Sequence, residues 1–131
     1  MMSKQWTAAL AGLALLFTPV FTAYADCRNR IDLIATDAGA AIGAEGNSEA
    51  RQDRGRERFK VQVTAAVADG TAFNAFADGQ FAGTLVTVLG FAELQLDSQD
   101  GSLPPELRPV CNISTVEVTD ATGILILSGT F

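Results

Sequence analysis

Histidine is absent from the 131-residue sequence. Without an imidazole there is no Ser-His or Cys-His nucleophile pair, no histidine-ligated zinc or copper site and no imidazole proton shuttle. Glu93 and Asp97 remain as a carboxylate pair, but on one strand their backbones lie about 13 Å apart, which is typical of a solvated strand face. We therefore predict a protein that is not an enzyme, with no catalytic residue and no cofactor.

Tryptophan and tyrosine are almost absent too, since the sequence has one of each. Trp6 and Tyr24 both fall in the first 25 residues, where Lys4 is followed by an apolar run over residues 10–17 and small residues over 23–25. This order is typical of a secretory signal peptide, and it is too short for a membrane anchor. The alternative is a hydrophobic helix that belongs to the fold.

Cleavage after Ala25 would leave residues 26–131 as a single domain, periplasmic or secreted and not membrane-spanning. That part of the chain has no Trp and no Tyr, and its aromatic residues are all phenylalanine. Carbohydrate binding by aromatic stacking favours amphipathic rings, so we do not expect it here.

Only two cysteines are present, Cys27 and Cys111. In an oxidising compartment they are expected to form a disulfide, which for a loop of this length removes chain entropy worth roughly 4 kcal/mol. A metal or redox pair is the alternative, but the sequence has no histidine and no CxxC motif to support it.

The hydrophobic periodicity is that of β-strands. In residues 59–67 and 91–97 apolar and polar side chains alternate. Residues 124–127 are apolar on both faces, which predicts a last strand that is central or covered on both sides. Asp69-Gly70 and Asp78-Gly79 are typical of hairpin turns. We predict an all-β fold without helices after residue 25: a compact antiparallel β-sandwich of immunoglobulin-like or jelly-roll type with seven or eight strands.

Residues 31–131 contain a series of short motifs: Phe59-Lys60-Val61, Asp78-Gly79, Gly83-Thr84-Leu85, Gly90-Phe91-Ala92, Leu94-Gln95-Leu96-Asp97-Ser98 and Leu127-Ser128-Gly129-Thr130-Phe131. The series resembles small exported bacterial β-sandwich domains of uncharacterised function. The resemblance implies the fold and a bacterial source, and it assigns no catalytic residue.

Basic residues are concentrated in residues 51–60, which hold five of the eight that follow Ala25. If a strand begins by residue 54, four of them share one strand face at intervals of about 7 Å. Such a stripe suits an acidic protein, lipid headgroups or an anionic envelope polymer, although Asp53 and Glu57 would weaken its field. The alternative is an edge strand that is charged against aggregation and forms cross-strand ion pairs. The candidate anion-binding or partner-binding residues are Arg54, Arg56, Arg58 and Lys60.

Nucleic acid is not expected as the partner, because the chain is acidic overall, with nine Lys and Arg against 15 Asp and Glu. No Tyr or Trp interleaves the basic residues.

The loop over residues 97–106 offers hard oxygen ligands for calcium from Asp97, Asp100 and Glu106. The loop lacks the spacing of a helix-loop-helix calcium site, and the alternative is a turn whose Asp side chains bond their own backbone.

We expect an exported, non-enzymatic binding, adhesion or envelope-structural module. The alternatives are a ligand- or calcium-binding domain that uses the 97–106 loop, and a subunit that assembles by strand addition.

Overall fold

The structure is a computed structural model that describes residues 26–131. The predicted signal peptide lies outside the described residues. Within them the chain forms eight strands, a five-residue helix named α1 and two single 3-10 turns. The strands are β1 (Cys27–Ala35), β2 (Glu45–Asp53), β3 (Arg56–Thr64), β4 (Ala72–Ala77), β5 (Gln80–Val86), β6 (Phe91–Asp97), β7 (Thr115–Asp120) and β8 (Leu125–Thr130); α1 spans Asp37–Ala41, and the 3-10 turns span Pro105–Leu107 and Val110–Asn112.

All eight strands belong to one antiparallel sheet with the order β5-β4-β7-β8-β1-β2-β3-β6. The sheet is barrel-like and nearly closed, because its two end strands lie against each other. Gly83 of β5 permits this approach: a Cβ there would lie 2.8 Å from Cδ1 of Leu94 on β6. The prediction of an all-β antiparallel fold with seven or eight strands is confirmed, and the finer sandwich description stays a prediction.

Alternation along the strands separates the core from the surface. On β3 the buried residues Phe59, Val61 and Val63 point inward, between outward-facing polar residues. On the last strand Ile126 and Leu127 are both buried. Because β8 lies between β7 and β1, the prediction of a central last strand is confirmed.

The second strand was not predicted. Its inward positions carry Ser48, Ala50 and Gln52, which are small or polar and give no hydrophobic period, yet all three are buried. The Ser48 hydroxyl donates a 2.9 Å hydrogen bond to the Lys60 carbonyl, which satisfies its buried oxygen. The strand therefore forms through pairing and burial rather than apolar content.

The prediction of no helix after residue 25 is wrong for α1. The Thr36 hydroxyl caps this helix by accepting a 3.2 Å hydrogen bond from the Gly39 amide. Gly39 is required there, because a Cβ would lie 2.1 Å from the Ile126 carbonyl oxygen. None of the helices in residues 26–131 is long and apolar enough to cross a membrane.

The two Asp-Gly dipeptides behave differently. Asp78-Gly79 joins neighbouring strands β4 and β5, with φ angles of 49° and 78°, so that hairpin is confirmed. Asp69-Gly70 does not form a hairpin, because β3 and β4 are not neighbours in the sheet. The segment instead crosses between distant strands, where the buried Thr87 hydroxyl donates a 3.0 Å hydrogen bond to the Ala68 carbonyl.

The segment over residues 98–114 covers one end of the sheet, named here the disulfide end. Cys27 and Cys111 form the predicted disulfide, with their Cα atoms 5.9 Å apart. Leu103, Leu107 and Val110 of this segment are buried against the core. The opposite end, named the distal end, carries α1 and the loops over residues 65–71, 87–90 and 121–124.

Candidate anion-binding face

Strand register aligns charged side chains into rows on the outer side of β1, β2, β3 and β6. Arg28 pairs with Arg51, Arg51 pairs with Arg58, and Arg58 pairs with Asp97. Paired residues in an antiparallel sheet point to the same side, with Cβ atoms about 5 Å apart. Three arginines therefore stand side by side across three strands.

We name this surface the arginine face. It occupies the half of the outer side nearest the disulfide end, and a second row there runs through Arg30, Glu49 and Lys60. Its members are Arg28, Arg30, Glu49, Arg51, Asp53, Arg54, Arg56, Arg58, Lys60 and Asp97.

The arginine face reverses the charge of the rest of the molecule. Of the nine Lys and Arg residues in the sequence, all except Lys4 fall in residues 26–131, as do all 15 acidic residues. The face holds seven of those eight basic residues and three acidic ones, a net charge of +4. The remaining described residues carry one basic and twelve acidic side chains, a net charge of −11.

Two of these basic residues are already paired. The Arg56 guanidinium donates from Nε to both Asp97 oxygens, at 3.2 and 3.1 Å, and Arg51 Nη2 lies 3.7 Å from the Asp53 carboxylate. The hydrogen bond from Arg56, helped by the Gln99 amide, holds the pKa of Asp97 below its usual value, and the same bond raises the pKa of Arg56.

The other five basic residues make no ion pair within the part of the chain that the structure describes. Their charges remain available to a partner. They are Arg28, Arg30, Arg54, Arg58 and Lys60.

The predicted basic stripe is partly assembled. Arg56, Arg58 and Lys60 share the outer side of β3, but β3 begins at Arg56, so the assumed start by residue 54 is wrong. Arg54 instead occupies the β2–β3 turn with a φ of 52°. The edge-strand alternative is wrong as to the edge, because β3 lies between β2 and β6. Its cross-strand ion pairing is present between Arg56 on β3 and Asp97 on β6.

Glu57 does not weaken the field of the stripe, because its side chain points inward and is 1% exposed. Its Oε1 accepts a 2.9 Å hydrogen bond from the Val110 amide, and its Oε2 accepts one from Arg108 Nε. The carboxylate therefore anchors the 98–114 segment. Sequence reasoning missed this role, because alternation assigns position 57 to the core side but does not name its partners.

Sequence reasoning also missed Arg28 and Arg30. They extend the arginine face onto β1, where both are exposed. Their spacing of two residues beside Cys27 was the available signal.

A cavity of about 160 Å³ lies on the outer side of β2, β3 and β6, in the part of the arginine face nearest β6. Arg58 contributes a buried Nε that has no hydrogen-bond partner among the described residues. The charged and amide side chains that line the cavity are Glu49, Arg58, Lys60, Gln95, Asp97 and Asp100.

The three candidate calcium ligands do not form one site, although Asp97 and Asp100 both line the cavity. Asp97 is bonded to Arg56, and Asp100 accepts a 2.9 Å hydrogen bond from the Ser102 amide, which, with the Ser102 hydroxyl, lowers its pKa. Glu106 lies apart in the first 3-10 turn. No group of three or more metal-ligating side chains occurs in residues 26–131.

An apolar tip marks the distal end where β5 turns into β6. Val86, Val88, Leu89 and Phe91 are exposed there, and Leu89 is 89% exposed with a φ of 53°. The Asp69 carboxylate accepts a 2.7 Å hydrogen bond from the Leu89 amide and helps to hold this turn. The tip lies at the opposite end from the arginine face.

Comparison with protein-family models, characterised proteins and solved structures finds no match to this chain.

Proposed function

We propose that this protein is an exported, non-enzymatic binding module that recognises an anionic envelope polymer through its arginine face. The observation that carries the proposal is the row formed by Arg28, Arg51 and Arg58 on adjacent strands.

Like charges placed directly opposite each other destabilise a sheet, by an amount comparable to the 0.2–1 kcal/mol typical of cross-strand pairs. The chain carries 15 acidic residues against nine basic ones, so acidic residues are plentiful. The row nevertheless sets arginine against arginine twice. Such a placement lowers the stability of the free protein. A bound ligand that supplies the counter-charge offsets this loss of stability.

The composition of the face favours a polymer over an acidic protein. Protein interfaces are built around apolar or aromatic anchors. The outward positions of β1, β2 and β3 at the disulfide end are all charged, from Arg28 on β1 to Lys60 on β3. An extended polyanion needs only repeated cations, and the Arg fork suits its carboxylate or phosphate groups. Nucleic acid is disfavoured because the face has no aromatic side chain for base stacking.

Two further proposals complete this assignment. The signal-peptide pattern over residues 1–25 and the Cys27–Cys111 disulfide support a periplasmic or secreted location. The strand order supports the immunoglobulin-like form of the predicted sandwich, with β2-β3-β6 as one layer and β5-β4-β7-β8 as the other, because the strands β5 and β6, which do not pair with each other, then lie in different layers. In that scheme β1 is an added strand between β8 and β2.

The test is binding of the processed protein to immobilised polygalacturonate and dextran sulfate, with neutral dextran as the blank. A variant with Arg28→Gln, Arg51→Gln and Arg58→Gln is compared with a control that makes the same charge change elsewhere, Ala66→Glu, Asn74→Asp and Ala121→Glu. We expect the first variant to lose at least tenfold in affinity, the control to keep most of it, and salt to weaken binding.

Equal losses in the two variants would show that net charge, not the arginine face, governs binding. Absence of binding to either polyanion at low salt would refute the proposal. Capture of an acidic protein from envelope extract by the unaltered chain alone, without polyanion binding, would replace the polymer with a protein partner.

A further inference from the structure

The cavity beside Arg58 has an unusual balance of charge. Two cations, Arg58 and Lys60, line it together with three carboxylates, from Glu49, Asp97 and Asp100. Arg56 neutralises Asp97 from outside the cavity lining. The remaining lining charges are therefore two of each sign, in a volume of about 160 Å³.

The cross-strand neighbour of Arg58 does not accept a hydrogen bond from its buried Nε. Its cross-strand neighbour is Asp97, but both oxygens of that carboxylate accept hydrogen bonds from Arg56, and one also accepts from the Gln99 amide. Arg58 Nε is buried without a partner among residues 26–131. A buried charged donor without an acceptor is costly, and an oxyanion in the cavity would remove that cost.

Two carboxylates that line the cavity, those of Glu49 and Asp100, also form no ion pair in residues 26–131. Glu49 and Lys60 are cross-strand neighbours, yet they form no ion pair in the described part of the chain. Asp100 accepts hydrogen bonds only within its own loop, from Ser102. Both carboxylates therefore keep acceptor capacity that an ammonium group can use.

A ligand with a single charge fits this lining poorly. A simple anion that reaches Arg58 meets Glu49 and Asp100, and a simple cation that reaches those carboxylates meets Arg58 and Lys60. A ligand that carries both charges satisfies each side and leaves no like charges in contact. The volume of about 160 Å³ is below the roughly 300–1,000 Å³ of sites for drug-sized ligands, so the ligand is one small group.

We propose that this cavity binds a small zwitterionic group, with its carboxylate or phosphate on Arg58 and Lys60 and its ammonium on Glu49 and Asp100. The site goes beyond the arginine face, whose polyanion needs no ammonium. Two sources share this chemistry: an amino acid or short peptide, and a phosphoethanolamine headgroup.

The test is titration of the ¹⁵N-labelled processed protein, followed by amide shifts and calorimetry. The probes are alanyl-alanine, its N-acetyl derivative, its C-terminal amide, and phosphoethanolamine. We expect a zwitterion to bind at least tenfold more tightly than either singly charged dipeptide, with shifts at Arg58, Lys60 and Asp100. The tighter of alanyl-alanine and phosphoethanolamine identifies the source.

Variants separate this site from the arginine face. Asp100→Asn keeps the oxygen that accepts from Ser102, so the loop is retained while the charge is lost, and Glu45→Gln is a control on β2 outside the cavity. We expect Arg58→Gln and Asp100→Asn to abolish zwitterion binding and Glu45→Gln to preserve it. Polygalacturonate binding should not fall in Asp100→Asn, so failure of one proposal is distinguishable from failure of the other. Binding of the N-acetyl dipeptide as tightly as alanyl-alanine, or no shift with any probe, would overturn the inference.

Discussion

The pair formed by Glu57 and Arg108 gives the sharpest stability prediction. Glu57 is 1% exposed, whereas the Arg108 side chain is 47% exposed. Removing Arg108 strands a carboxylate in the core, while removing the charge of Glu57 only returns Arg108 to water. The two substitutions should therefore differ, even though they break the same contact.

The magnitudes follow from that asymmetry. Arg108→Met keeps the aliphatic stem and leaves the Glu57 carboxylate with the Val110 amide as its hydrogen-bond donor. Loss of a buried partner costs 3–5 kcal/mol, and the exposure of Arg108 reduces this to about 2–3 kcal/mol. Glu57→Gln keeps an oxygen for Val110 and loses one charge-assisted bond, which costs about 1–2 kcal/mol.

The assay is urea unfolding of the oxidised protein, with both single variants and the double variant in a cycle. Addition of Glu57→Gln to Arg108→Met should recover part of the lost stability, because it removes the stranded charge. Arg108→Met costing less than Glu57→Gln, or a double variant equal to the sum of the singles, would refute this reasoning.

Three further predictions concern the stability of the fold. Reduction of the Cys27–Cys111 disulfide, whose sequence separation is 84, should lower the free energy of unfolding by about 4 kcal/mol, and an unchanged melting temperature would contradict this. Gly39→Ala should cost several kcal/mol, because its Cβ would overlap a backbone oxygen at 2.1 Å; full stability in urea would refute the overlap. The pKa of Asp97 is lowered in the folded state. The stabilisation that this carboxylate gives the fold is therefore present above its usual pKa of 3.8 and is lost as pH falls through the lower folded pKa. Unfolding free energies across this range should therefore fall more steeply for the unaltered protein than for Asp97→Asn, and equal slopes would count against it.

The strands that the sequence predicted correctly are those whose inward-facing residues are apolar. Phe59, Val61 and Val63 alternate with polar residues, and their strand is present with its boundary shifted toward Arg56. The strand Glu45–Asp53 was missed because Ser48 and Gln52 fill its inward side. Hydrophobic periodicity identifies strands that bury apolar side chains. It does not identify strands whose buried side chains are polar and hydrogen-bonded.

The candidate site, too, was predicted only where its residues are close together in the sequence. The spacing of Arg56, Arg58 and Lys60 predicts a shared strand face, and the structure has it. The sequence alone does not specify that Arg28 joins that face, because pairing of β1 with β2 sets the register. Asp69-Gly70 was misassigned for a related reason: a turn dipeptide predicts a reversal of the chain but not which strands become neighbours.

We propose that the arginine face is the binding surface of this protein. Its most direct test is an amide-shift titration of the ¹⁵N-labelled processed protein with a galacturonate oligomer at low salt. We expect shifts concentrated at Arg28, Arg51 and Arg58 that disappear as salt rises. Shifts concentrated at the distal end around Leu89, with the arginine face unmoved, would contradict it.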